Sequence, residues 1–67
     1  MEKKVLFNVL DAIRKGNANL LSQGIAPDKE YLTALGTIGF IKVGWGIELT
    51  ELGNWQFQVL QNDLIKW

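Results

Sequence analysis

The chain has 67 residues, with seven basic and seven acidic side chains, so its formal net charge is zero. It has neither cysteine nor histidine, which excludes disulfides and removes the usual zinc donors. Balanced charge gives no long-range attraction for nucleic acid, and a hydrophobic fraction of 48% is that of a folding chain rather than a disordered one.

A chain this short makes one small domain, 1–67, with a modest core. A small core without staples often leans on self-association. The opening stretch MEKKVLFNVLDAIRK does not read as a signal peptide. Asn8 and Asp11 interrupt its apolar residues, and no small-residue cleavage site follows. No apolar run approaches membrane-spanning length. The expectation is a soluble, cytoplasmic protein that does not enter a membrane.

Glu2 to Lys15 is the first predicted helix. Val5, Leu6, Val9, Leu10 and Ile13 recur at helical spacing and form one apolar face. Arg14 and Lys15 suit its C-terminal end, and Gly16 supplies the stop. Phe7 falls off this stripe. It belongs either at the rim of the core, against the last helix, or in a contact with another subunit. Asn17 is a candidate cap for a short second helix, Ala18 to Gln23, anchored by Leu20 and Leu21 and ended by Gly24. Ile25 then returns to the core. Pro27 suits the first turn of a third helix that runs to about Gly36. Its buried side is expected to be Tyr31, Leu32 and Leu35, followed by Ile38. Its outer side carries Lys29, Glu30, Thr33 and Thr37.

The stretch Phe40 to Leu49 reads as a β-hairpin. A loop of Gly44, Trp45 and Gly46 sets Val43 opposite Ile47, Lys42 opposite Glu48 and Ile41 opposite Leu49. Apolar then faces apolar on one side, and opposite charges face each other on the other. Gly46 is expected in the left-handed conformation that such a loop favours at its last position. Thr50 is the best cap for a last helix reaching about Lys66. Its apolar residues, Leu52 to Trp67, spread over roughly 200° of circumference. Phe57, Leu60, Leu64 and Trp67 keep the three-four spacing of a coiled-coil seam. Gly53 lies within the apolar arc, where a missing side chain permits close approach. The excess admits two explanations. Either the helix wraps a core on two sides, or part of it pairs with a second copy. The second makes Phe57, Leu60, Leu64 and Trp67 the expected homodimer interface.

Helix, short helix, helix, hairpin, helix is the winged helix-turn-helix order: a three-helix core, a two-stranded antiparallel wing and a C-terminal helix. NANLLSQGI, from Asn17 to Ile25, resembles the first helix and turn of a helix-turn-helix. DKEYLTALGTIGFIKV, from Asp28 to Val43, resembles the third helix running into the wing. IELTELG, from Ile47 to Gly53, is similar to the closing strand and helix start common in MarR-like and PadR-like bacterial regulators. The expected fold is therefore mainly α with a small β-hairpin.

In that family the third helix commonly enters the major groove and the wing approaches the backbone. The resemblance implies double-stranded DNA as partner, contacted by Lys29, Thr33 and Thr37 on the helix and by Lys42 and Trp45 on the wing. It implies a small transcriptional regulator acting as a dimer. The alternative is a winged-helix module that binds protein and not DNA. The third helix carries no arginine, the commonest reader of guanine, and Lys29 stands between Asp28 and Glu30. Trp45 admits three readings: folded back over the hairpin, anchoring a protein partner, or stacked on a base. Catalysis lacks its parts. Ser22 has no nearby base, and the carboxylates are dispersed. Neither Gly36-Thr37-Ile38-Gly39 nor Gly44-Trp45-Gly46 has the lysine of a phosphate loop. No enzyme activity, cofactor or metal is expected.

Overall fold

The structure, a computed structural model, describes residues 2–17 and 19–65. It contains α1 (Lys3–Arg14), α2 (Lys29–Ile38), β1 (Ile41–Val43), β2 (Ile47–Leu49) and α3 (Glu51–Ile65). The chain is thus mainly helical with one two-stranded antiparallel hairpin. No helix among the described residues is long and apolar enough to cross a membrane.

Helix α1 is the central element. Leu6, Val9, Leu10, Ala12 and Ile13 are all buried, and α1 packs against both α3 and β2. Gly16 ends it at φ +83°, with its N–H donating to the Ile13 carbonyl and the Asn17 N–H donating to that of Ala12. This pair of bonds satisfies carbonyls that the last turn leaves open. Lys3 on α1 and Asp63 on α3 form an ion pair at 2.8 Å.

The expected short second helix is replaced by a turn. Residues 20–24 form turns, closed by Gln23 N–H to Asn19 O, and Ala18 lies outside the described residues. Gly24 at φ +70° reverses the chain, so the Ile25 and Ala26 N–H groups both donate to the Leu20 carbonyl. Between the Asn17 cap and Gly24 there is room for only about three helical hydrogen bonds. Nucleating a helix for so few bonds is unfavourable. The Asn17 side chain does accept from the Asn19 N–H, as a capping residue should. Of the two expected anchors, Leu20 is buried and Leu21 is exposed.

Helix α2 begins two residues later than expected and extends to Ile38. Asp28, not Pro27, sets its start by accepting a hydrogen bond from the Tyr31 N–H. Gly39, not Gly36, ends it, at φ +99°. Leu35 is buried, while Tyr31 and Leu32 are half-buried. Ile38, expected inside, is exposed; after the Gly39 turn the core is filled by Ile41 with Phe40 packed beside it.

The hairpin register is Ile41↔Leu49, Lys42↔Glu48 and Val43↔Ile47, as the alternation requires. The loop differs in detail. Gly46 does not adopt a positive φ; the Gly44 N–H donates to the Gly46 carbonyl and tightens the loop without one.

Thr50 caps α3 by accepting from the Gly53 N–H, and its hydroxyl donates to the Gly39 carbonyl. It thereby ties the start of α3 to the end of α2. A Cβ built on Gly53 would lie 2.0 Å from the Phe40 carbonyl oxygen, so only glycine admits this approach. Phe57 and Leu60 complete the core from α3.

Candidate interaction surface

The residues expected to meet DNA fall into two groups. Lys29, Thr33 and Thr37 stand exposed along the outer side of α2. Together with Leu32, Val43 and Ile47 they line an open groove of about 520 Å³, which Leu21 and Gly36 extend. Lys42 and Trp45 line a separate depression of about 200 Å³ with Glu48 and the loop glycines. Alternation explains the split, because Val43 and Ile47 project to one side of the hairpin and Lys42 and Glu48 to the other. Trp45 is fully exposed, so it does not fold back over the hairpin.

The groove is chemically apolar. Thr33 Oγ1 donates to the Lys29 carbonyl at 3.2 Å, and Thr37 Oγ1 donates to the Thr33 carbonyl at 3.0 Å. Each hydroxyl is thus turned back onto the helix. Among the described residues, Lys29 is the one charged residue that lines it. Leu21 and Val43 are exposed at 45% and 68%. Neither was expected in a site. The signal for Leu21 was the doubled leucine in a segment too short to bury both; Val43 gave none beyond its place at the hairpin end.

Helix α3 requires a correction. Phe57 and Leu60, expected in a dimer seam, are buried within the chain at 6% and 2% exposure. Phe57 stacks on Phe7 with ring centroids 5.1 Å apart, and the Arg14 guanidinium carbon lies 4.8 Å from its ring centre. Phe7 is therefore a core-rim residue against the last helix. Two positions of α1, seven residues apart, hold the same ring, and nothing of it is left for a second copy. Leu64 is half-buried. Trp67 lies outside the described residues. Among the described side chains, the large apolar ones that α3 exposes are Leu52, Trp55 and Val59.

A depression of about 600 Å³ between α1 and the turn is bordered by Asp11 and Lys15. Asp11 is paired with Lys15 at 2.9 Å and Arg14 at 3.0 Å. Its partial burial raises its pKa, but the hydrogen bonds and charges of Lys15 and Arg14 outweigh this and hold the carboxyl below the ordinary value of 3.8. Among the described residues no group of acidic side chains is arranged to hold a metal ion. The Tyr31 hydroxyl is buried without a hydrogen-bond partner among the described residues, and burial raises its pKa. No protein-family model matches this chain, and no curated protein or solved structure matches it either.

Proposed function

We propose that this chain is a small, non-catalytic binding module of winged-helix type, and that it takes an apolar segment of a protein partner in the groove between α2 and the hairpin. The observation that carries this reading is the groove itself: Leu21, Leu32, Val43 and Ile47 around one lysine. Exposed contiguous apolar surface of this kind marks interaction sites. Affinity for DNA, by contrast, draws heavily on phosphate contacts from cationic side chains. A DNA-binding regulator is the second reading. It is favoured by Lys29, Thr33 and Thr37 standing exposed on the outer side of the helix that precedes the hairpin.

Two measurements separate them. Peptides selected from a random library against the chain should be rich in apolar residues, and Val43→Glu should abolish their binding. Selected peptides that bind Val43→Glu as well as the unaltered chain would reject the groove. Titration with random-sequence duplex DNA at low salt should give no salt-sensitive binding. Binding that weakens steeply with salt, and falls in Lys29→Ala, would transfer this face to DNA.

A further inference from the structure

Between α1 and α3 lies an open groove of about 460 Å³, lined by Arg14 from α1 and by Asn54, Phe57, Gln58, Gln61 and Asn62 from α3. Phe57 is buried, so the accessible lining is four carboxamides and one guanidinium. Asn54 and Gln58 stand four residues apart, as do Gln58 and Asn62. Such pairs stabilise a helix when they carry opposite charges or hydrogen-bond each other. These do neither: none of the four carboxamides hydrogen-bonds another described residue. A local preference set aside without a gain in stability is expected at a functional site. Arg14 is held in place, its guanidinium carbon 4.8 Å from the Phe57 ring centre and one nitrogen donating to Asp11 at 3.0 Å. That leaves most of its five N–H donors for a ligand. Trp55, 58% exposed, borders the groove, three residues from Gln58 and seven from Asn62.

We infer that this groove binds a neutral oligosaccharide. Three features select that chemistry. First, a carboxamide presents both donors and an acceptor, as a sugar hydroxyl does, so a line of them matches a ligand with hydroxyls along its length. Second, the charge is wrong for a polyanion. Among the described residues Arg14 is the one cation that lines the groove, and it is already paired with Asp11. Nucleic acid or a sulfated glycan would find no second cation there. Third, the indole of Trp55 offers the flat apolar surface on which the C–H face of a pyranose ring stacks. An extended peptide is the neutral rival. It draws on main-chain pairing with a sheet edge or on apolar pockets for its side chains, and this helical, amide-lined groove supplies neither. The groove shares no residue with the one between α2 and the hairpin, so it stands or falls independently of the binding reading above.

Magnetic resonance titration of the nitrogen-labelled chain tests it, because each carboxamide gives its own pair of N–H signals. The probes are linear neutral oligosaccharides of glucose, mannose and N-acetylglucosamine, with heparin fragments, single-stranded oligo-dA and an uncharged glycine-serine peptide beside them. At least one neutral oligosaccharide should shift the Asn54, Gln58, Gln61 and Asn62 signals saturably at millimolar concentration, with an affinity that salt leaves unchanged. Gln58→Ala should weaken that binding roughly tenfold, and Trp55→Ala by a similar factor. Both side chains are exposed, so circular dichroism should show an unaltered fold. A panel in which no neutral oligosaccharide moves the four carboxamides would overturn the inference. So would binding that ignores both substitutions. Shifts of the same signals by oligo-dA or heparin that fade with salt would overturn it in favour of a polyanion, and shifts by the peptide alone in favour of a protein chain.

Discussion

Helix α3 carries apolar side chains on two sides, and the sides have opposite fates. The inner side, with Gly53, Phe57 and Leu60, is buried; the outer side, with Leu52, Trp55 and Val59, remains exposed. By hydrophobicity alone the outer side is the equal of the inner. What separates them is α1, which places Phe7 and Arg14 around Phe57, and Phe40, whose carbonyl admits α3 only at a glycine. Apolar character selects what can be buried, and the shape of the neighbouring elements selects what is.

Substitutions on the two sides should therefore behave differently. Phe57→Ala should destabilise the monomer by about 3–5 kcal/mol, whereas Trp55→Ala should change it by less than about 0.5 kcal/mol. Denaturant unfolding at low protein concentration measures both, and equal losses would erase the distinction. Gly53→Ala should cost about 3 kcal/mol, because a methyl group there displaces either α3 or the Phe40 peptide. Gly44→Ala, whose Cβ meets nothing within 4 Å, is the control.

Thr50→Ala should cost about 1–2 kcal/mol, since it removes the α3 cap and the bond to Gly39 together. Thr50→Ser should recover most of it. Tyr31→Phe removes a buried hydroxyl without a partner and should be neutral or stabilising by up to about 1 kcal/mol. A clear loss would mean that the hydroxyl has a partner.

The smallest effect is electrostatic. Asp11 has a lowered pKa in the folded chain, so the folded state favours its ionised form. Its contribution is present above the unfolded value near 3.8 and is lost as pH falls through the lower folded value. Asp11→Asn should thus cost about 0.5 kcal/mol at neutral pH, discounted because Lys15 and Arg14 are exposed, and progressively less as the pH falls below 3.8. A loss that persists in acid would point to packing instead.

Much of the hairpin was legible because its constraints are local and redundant. Ile41, Val43, Ile47 and Leu49 alternate with Lys42 and Glu48, and one loop length satisfies both faces. The α1 stripe was legible because it is narrow and has one possible inner side. The α2 boundaries were less so. Pro27 and Gly36 are common helix ends, yet the side chain of Asp28 and the positive φ of Gly39 decided the matter. The short helix failed because its residues suit a helix whose length cannot sustain one. Lys29, Thr33 and Thr37 lie on the outer side of α2 as expected, but the chemistry around them was not visible. That Thr33 and Thr37 turn their hydroxyls back onto carbonyls one turn earlier is a local rotamer choice that helical period does not dictate, and that Leu21 and Val43 join them depends on contacts between elements distant in sequence.

The amino-acid order by itself determined the three long helices and the hairpin, and how its two strands align, because helical period, strand alternation and cross-strand charge act over a few residues. Tertiary packing alone decided which apolar arc of α3 faces α1, and that α2 and the hairpin enclose an apolar groove. Those outcomes turn on the fit of surfaces brought together from across the chain, and no local pattern encodes that fit.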